Sequence, residues 1–296
     1  SEASPYAVFE VSLSSASGTD ISFTPTLTDG TATVGTDTGA SADLRYFNGT
    51  SWVSASGGVT IAAGQTSVLL RTAITQDTTF EGNETFTLST GTITGTVTNS
   101  AGDSGTGTVV DDGTIGAVFL ADNNSATPTS GTADDDRPSF SIDDVVVNEG
   151  AGSVTLTVTK IGATTQTSSV ACTTADGSAE AGSDYAALSG TLNFAAGDTT
   201  KTITVNVTND SDFEGSETFV VNLSNASDAV IDDSQGQVTI RDDASGPGGS
   251  DDDRTISVIA IGPVNEASTY AMFTVTALEG YALDLSLQDA TSGNAA

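Results

Sequence analysis

The sequence repeats itself, and this repeat limits the fold more than any other feature. TFEGNETF (Thr79 to Phe86) and DFEGSETF (Asp212 to Phe219) are almost the same eight letters. EASPYAVFEV, which begins at Glu2, returns as EASTYAMFTV at Glu266. The string DDDR occurs at Asp134 to Arg137 and again at Asp251 to Arg254. Segments that recur in a fixed order indicate tandem domains. We therefore predict three units of one design, the first and third closely alike and the middle one divergent.

The repeats set the expected boundaries. We expect a first unit at 1–112 with an insertion around 44–58, a second unit at 139–243, and the start of an incomplete third unit at 255–296. Acidic, glycine-rich linkers are expected at 113–138 and 244–254. The first unit is expected to lack the strand that precedes Glu2, as in an excerpt from a longer array.

Apolar residues alternate with Thr, Ser or Asn in both complete units. In the second unit the alternating sets are Val154, Leu156 and Val158; Leu192 and Phe194; Ile203, Val205 and Val207; Phe219, Val221 and Leu223; and Val238 and Ile240. Period-two alternation indicates strands with one buried face. About seven short strands between Gly- and Asp-rich turns predict an antiparallel β-sandwich. The predicted fold is all-β: immunoglobulin-like antiparallel sandwiches in a linear array.

Charge and composition exclude several functions. The chain has 39 acidic and 7 basic residues, a net charge of −32, and no histidine. Nucleic acid and anionic membranes are poor partners for such a chain, and cations are good ones. The Ser-His-Asp and Cys-His catalytic arrangements are impossible, and a glycosidase built on the paired glutamates would need a deep cleft. We predict no enzyme activity, no direct membrane insertion, and a small buried core role for Cys172.

Acidic residues collect in the loops of each unit. On our strand count these loops share the end of the sandwich from which the chain leaves. In the second unit the candidates are Glu149, Asp184, Asp210, Glu214, Glu217, Asp242 and Asp243. Their counterparts in the first unit are Glu2, Asp37, Asp77, Glu81, Glu84, Asp111 and Asp112. Many hard oxygen ligands at irregular spacing favour Ca²⁺ over Mg²⁺. The alternative is that they are solvated turn acids, since Asp favours turns.

The second unit resembles a known family. VVVNEGAGSVTLTVT, the stretch from ADGSAEAGSDY to DFEGSETFVVNLSNA, and GQVTIRDD are similar to Calx-beta domains, the calcium-binding sandwiches of sodium–calcium exchangers. The first unit looks like a variant found in giant adhesins exported by type I secretion. The resemblance implies that the seven acids of the second unit are calcium ligands. Where the family has triple Asp runs, this chain has Asn209-Asp210-Ser211 and Asp242-Asp243-Ala244, which implies fewer ions or weaker binding.

These observations support one leading hypothesis and two alternatives. The leading one is a calcium-stiffened rod in an extracellular bacterial surface adhesin or fibre, with calcium ions and neighbouring repeats as partners. One alternative is a module that binds a glycan or receptor through Tyr46, Phe47 and Trp52, although Trp52 could instead cover the core. The other is a filament subunit whose incomplete units complete each other by strand addition between copies. The DDDR strings could supply metal ligands, pair with nearby acids, or be solvated linker charge.

Overall fold

A computed structural model describes residues 1–248, 252–254, 256–263, 265, 267, 269 and 271–276. Within these residues the chain is all-β, and its helical structure is limited to two 3₁₀ turns at Ser41–Asp43 and Glu149–Ala151. The described part has no helix with the length and apolar character needed to cross a membrane. The predicted all-β class is confirmed.

The first sandwich occupies residues 6–109. Its strands are β1 Tyr6–Ser12, β2 Ile21–Phe23, β3 Thr26–Asp29, β4 Arg45–Phe47, β5 Trp52–Ser54, β6 Val59–Ile61, β7 Ser67–Ala73, β8 Thr79–Phe80, β9 Glu84–Ser89 and β10 Ser104–Val109. One sheet has the order β1-β7-β4-β5 and the facing sheet has the order β10-β9-β3, while β2 pairs with β6. The expected insertion forms β4 and β5, so it extends a sheet.

The second sandwich occupies residues 139–241. It is preceded by two strands, β11 Ile115–Val118 and β12 Ser130–Ala133, and its own strands are β13 Ser139–Ile142, β14 Val145–Asn148, β15 Ser153–Ile161, β16 Ala163–Thr164, β17 Ser168–Asp176, β18 Ser189–Phe194, β19 Thr200–Asn206, β20 Ser216–Ser227, β21 Val230–Ile231 and β22 Gln235–Arg241. The sheets have the orders β19-β15-β13-β21 and β14-β22-β20-β17-β18. Both sheets are antiparallel except where β13 meets β21 and β14 meets β22.

The two sandwiches have separate cores made by the predicted alternation. In the second, Val154, Leu156 and Val158 of β15 are at most 3% exposed, and Phe219 and Val221 of β20 are fully buried. The first core is smaller and is built around residues such as Leu70 and Phe86. Cys172 is buried in the second core, in agreement with its predicted role.

The segment expected to be a linker, 113–138, contains an antiparallel hairpin. Strand β11 pairs with β12 from Ile115↔Ala133 to Val118↔Ser130. The hairpin is tied to the first sandwich, since Arg71 Nη1 donates to Ala121 O at 2.8 Å and Phe119 N donates to Ser4 Oγ at 2.9 Å. Sequence patterning misses it because each strand has only four residues, one of them a glycine, and so carries no sustained run of alternating apolar side chains.

Beyond residue 244 the structure describes two further strands, β23 Ser257–Ala260 and β24 Phe273–Thr276, which pair antiparallel. Strand β24 lies in the segment predicted to repeat β1. Glu266 and residues 277–296 of the predicted third unit lie outside the described residues.

Candidate metal centre

The repeated acidic turn has the same geometry in both sandwiches. Glu81 precedes β9 and Glu84 is its first residue, whereas Glu214 lies two residues before β20 and Glu217 is the second residue of that strand. The glycine between the two glutamates has a positive φ, +78° at Gly82 and +83° at Gly215. L-residues rarely adopt this conformation, so glycine is required there. The turn presents two carboxylates, three positions apart, at one end of each sandwich.

A second turn supplies a third carboxylate to each site. Asp184 N donates to Glu180 O at 3.0 Å, and the Asp184 carboxylate accepts from Glu180 N at 2.6 Å. The first unit repeats this closure, with Thr33 N donating to the Asp37 carboxylate at 2.6 Å. Tyr185, which stacks on Phe219 at 4.0 Å, anchors the second turn to its core. The aspartates are therefore fixed by local hydrogen bonds and packing.

The two turns converge into one compact group in each unit. Asp37, Glu81 and Glu84 each offer a carboxylate oxygen, and these oxygens all lie within 4.8 Å of one another. Asp184, Glu214 and Glu217 form the equivalent group in the second unit. We call these groups the first and second carboxylate trios. Among the described residues they are the groups of possible metal ligands that meet this spacing.

Two more acids lie buried behind each trio and hold the acidic turn in place. Asp111 accepts a hydrogen bond from Glu81 N at 3.0 Å, and Asp242 accepts one from Glu214 N at 2.9 Å. Glu2 accepts from Asp77 N at 3.1 Å, and its counterpart Glu149 accepts from Asp210 N at 3.0 Å. Exposure of these four acids is 7% or less: Glu2 7%, Asp111 1%, Glu149 4% and Asp242 1%.

The electrostatics of both poles disfavour ionised carboxylates when no cation is present. Burial, followed by repulsion from Asp37 and Glu81, raises the pKa of Glu84 to about 7. Burial and then Asp184 and Glu214 raise the pKa of Glu217 to about 7. The pKa values of Glu2 and Glu149 are also raised to about 7, and that of Asp111 to about 6, in each case chiefly by burial. A cation among these groups would reverse the effect.

Four predicted ligands lie near the poles but outside the trios. Asp77 and Asp210 are exposed and close short turns, accepting from Thr79 N at 2.6 Å and Asp212 N at 2.8 Å. Asp112 and Asp243 accept hydrogen bonds from the hydroxyls of Thr114 and Ser245, which lower their carboxyl pKa values. The structure therefore gathers Asp37, Glu81 and Glu84, with their second-unit equivalents, more tightly than the other candidates.

The donor set fits calcium. All candidate ligands are hard carboxylate oxygens, and Asp111 Oδ1 is a buried oxygen that accepts no hydrogen bond. A cavity of about 40 Å³ is lined by Glu2, Asp37, Asp77, Glu81 and Glu84. One water needs roughly 10–15 Å³ of such space, so the cavity can hold an ion. Flexible coordination by several carboxylates is typical of Ca²⁺, whereas Mg²⁺ keeps more of its water.

Residues of the second unit reach the first pole, a contact that sequence reasoning missed. Strand β16 pairs with β8 through Ala163↔Thr79 and Thr164↔Phe80. Gln166 Nε2 donates to the main-chain oxygen of Glu81 at 2.8 Å. One residue of the first trio is therefore bonded directly to the neighbouring sandwich. A two-residue strand of Ala and Thr carries no apolar periodicity that could have revealed it.

The aromatic insertion is engaged inside the first unit. The guanidinium carbon of Arg71 lies 4.0 Å from the ring centroid of Tyr6 and 4.3 Å from that of Trp52. Trp52 Nε1 donates to Asn123 O of the hairpin at 3.0 Å. Trp52 therefore packs against Arg71 and the hairpin, and it does not join the residues that pack against the first core.

Comparison with known proteins agrees with this architecture. The chain is 45% identical over 78 residues to sodium/calcium exchanger 1 of Canis lupus familiaris, which is 26% of this chain and 8% of the exchanger. It is 36% identical over 115 residues to the extracellular matrix organizing protein FRAS1 of Mus musculus, which is 37% of this chain and 3% of FRAS1. The chain thus spans under a tenth of these curated relatives.

Two solved structures and a family model complete the comparison. The apo form of the Calx CBD1 domain is 28% identical with a TM-score of 0.34, covering 35% of this chain and 96% of that domain. The two-domain CBD12 of CALX1.2 is 18% identical with a TM-score of 0.32, covering 81% of this chain and 95% of that structure. The Calx-beta domain model matches residues 1–112 and 133–244. With most of its length matched in two successive copies, the chain belongs to the Calx-beta domain family.

Proposed function

We propose that this chain is a calcium-stiffened rod segment of a bacterial surface adhesin or extracellular fibre. The observation that carries the proposal is the double role of Glu81. Its carboxylate belongs to the first trio, and its main-chain oxygen accepts a hydrogen bond from Gln166 of the second sandwich. An ion that fixes the acidic turn therefore also fixes the surface on which the next sandwich docks.

The metal-binding groups of the chain and the name of one relative support this proposal. A single buried cysteine and an absence of histidine leave carboxylate oxygens as the metal-binding groups of the chain. Extracellular calcium modules bind with dissociation constants of roughly 10⁻⁴–10⁻³ M, and such weak binding suits a structural site. The name of FRAS1, an extracellular matrix organizing protein, agrees with a structural role outside the cell.

The two alternatives have less support. A glycan- or receptor-binding role would use the aromatic insertion. The Trp52 ring, however, already packs against Arg71, and its Nε1 donates to Asn123 O. Assembly by strand addition would use the third unit, yet β23 already pairs with β24 of its own chain. The aromatic and strand features therefore have structural roles within the molecule.

Thermal unfolding of the whole chain tests the proposal. Melts are compared in EDTA, in millimolar Ca²⁺ and in millimolar Mg²⁺, for the parent chain and for Glu84→Gln and Glu217→Gln. An ion that binds only the native state adds about 2.7 kcal/mol at a hundredfold excess over its dissociation constant. We expect Ca²⁺ to raise the melting temperature more than Mg²⁺ does.

The variants assign the shift to the trios. Each Gln variant should lose the part of the calcium shift that belongs to its own sandwich. Glu10→Gln is the matched control, because Glu10 is an exposed glutamate on β1. Equal melts in EDTA and calcium, or a shift that survives both trio variants, would show that the trios hold no calcium.

A further inference from the structure

The DDDR string docks on the pole of the preceding sandwich in both copies. In the second copy, Asp253 N donates to Asp242 Oδ1 at 3.2 Å. In the first copy, Asp136 and Asp134 lie close enough to Asp111 that their charges add to the effect of burial in raising its carboxyl pKa. The sequence segments that lead to the string differ greatly in length, 113–133 in one case and 244–250 in the other. Because the string lies at the pole after segments of unequal length, we infer that its contacts with the pole determine its position. The length of the preceding segment does not.

An internal ion pair joins the arginine of the string to its middle aspartate. Arg137 binds Asp135 in a fork, Nε to Oδ1 at 2.7 Å and Nη2 to Oδ2 at 2.8 Å. Arg254 binds Asp252 in the same fork. In the first copy the arginine therefore pairs with the middle aspartate, and Asp134 and Asp136 lie outside this ion pair.

Three buried carboxylate oxygens at the first pole accept no hydrogen bond. They are Asp111 Oδ1, Asp134 Oδ2 and Asp136 Oδ2. Asp111 is 1% exposed and Asp134 is 9% exposed. Glu2 lies in the same group, and Asp111 and Asp134 both act to raise its pKa. A buried carboxylate without a partner is expensive, so this arrangement calls for a cation.

We propose that the outer aspartates of the DDDR string, Asp134 and Asp136, complete a second calcium site with Glu2 and Asp111. This inference rests on the proposed calcium function. Asp134 and Asp136, which directly precede the second sandwich, would become ligands at the pole of the first sandwich. The carboxylates of this second site are less tightly grouped than those of the first trio, which alone in the first unit meets the 4.8 Å spacing. The ion would draw them together and anchor the start of the second sandwich.

Calcium titration of the whole chain by calorimetry tests the site. The variants are Asp134→Asn and Asp136→Asn, singly and together, with Glu84→Gln to disable the first trio. Asp122→Asn is the control, since Asp122 is an exposed aspartate in the hairpin loop that makes the same charge change.

We expect the Asp134 and Asp136 variants to lose one calcium ion per chain, or to weaken one binding step by about tenfold, because affinity follows the number of charged ligands. In EDTA the same variants should melt at or above the parent temperature, because a repelling carboxylate has been removed. That result separates loss of a ligand from loss of the fold.

The outcomes separate the two proposals. Parent-like titrations for Asp134→Asn with Asp136→Asn, alongside a reduced titration for Glu84→Gln, would overturn the second site and leave the proposed function intact. A parent chain that binds no calcium would overturn both.

Discussion

Glu149 shows how protonation of a single buried acid is linked to folding. The side chain is 4% exposed, and its carboxylate accepts a hydrogen bond from Asp210 N at 3.0 Å. Burial, then Asp242 and Asp210, raises its pKa from 4.5 to about 7. Between about pH 4.5 and 7, Glu149 therefore keeps its proton in the folded chain, whereas it has lost that proton in the unfolded chain.

The sign of this shift sets a pH dependence. Because the folded pKa is raised, the stabilising contribution of Glu149 is complete below about pH 4.5 and is lost as the pH rises through about 7. We expect the free energy of unfolding of the metal-free chain to fall over this range. Urea unfolding in EDTA at pH 4.5, 6 and 7.5 measures it, and Glu149→Gln should flatten the slope.

Calcium should reverse the trend. Carboxylates must be deprotonated to bind the ion, so stability in saturating calcium should rise with pH over the same interval. Glu10→Gln again serves as the control, because an exposed glutamate on β1 should leave the slope unchanged. In EDTA, the free energy of unfolding could prove independent of pH, or Glu149→Gln could leave its pH dependence unchanged. Either result would show that the buried acids do not control stability.

At the scale of elements, the hairpin of β11 and β12 depends on side chains far away in sequence. Arg71, stacked between Tyr6 and Trp52, donates to Ala121 O at 2.8 Å, and Trp52 Nε1 donates to Asn123 O at 3.0 Å. Cation–π contacts of this kind contribute about 0.5–2 kcal/mol each. These contacts hold the loop of the hairpin against the first sandwich.

Trp52→Ala should therefore free the hairpin without unfolding the sandwich. We expect faster proteolytic cleavage between residues 119 and 129, while the core contacts around Leu70 and Phe86 remain. Trp52→Phe is the matched variant, because it keeps a ring over Arg71 and loses one hydrogen bond, a cost of about 1 kcal/mol. Its cleavage rate should lie between those of the parent and Trp52→Ala. Equal rates for all three would show that Trp52 does not hold the hairpin.

The elements also show what sequence alone can predict. Strands β15, β19, β20 and β22 each carry a run of alternating apolar residues, so a one-residue shift would expose the whole face. Their existence and buried faces were predictable. Strands β11, β12 and β16 lack such a run, and contacts with distant residues decide their structure. The carboxylate trios lie between these cases: the repeated turn singles out its glutamates, but only the fold shows which aspartate joins them.

For the whole molecule, the decisive contact is the one between Gln166 and Glu81. Gln166 Nε2 donates to the Glu81 main-chain oxygen at 2.8 Å, beside the pairing of β16 with β8. If calcium at the first trio favours this docking, then docking must favour calcium to the same extent, because coupling between binding equilibria is reciprocal. The same coupling free energy then sets both how much calcium stiffens the pair of sandwiches and how much docking raises the calcium affinity of the first trio.

Gln166→Ala tests this reciprocity. Loss of one hydrogen bond costs about 1 kcal/mol, so calcium affinity at the first trio should fall about fivefold while the second trio keeps its affinity. Calorimetric titration of the whole chain, in a Glu217→Gln background that silences the second trio, isolates the effect. Gln65→Ala is the control, since Gln65 is an exposed glutamine of the first unit. Small-angle X-ray scattering in calcium should report a more flexible particle for Gln166→Ala. A more flexible particle with unchanged calcium affinity would mean that the two sandwiches dock independently of the ion.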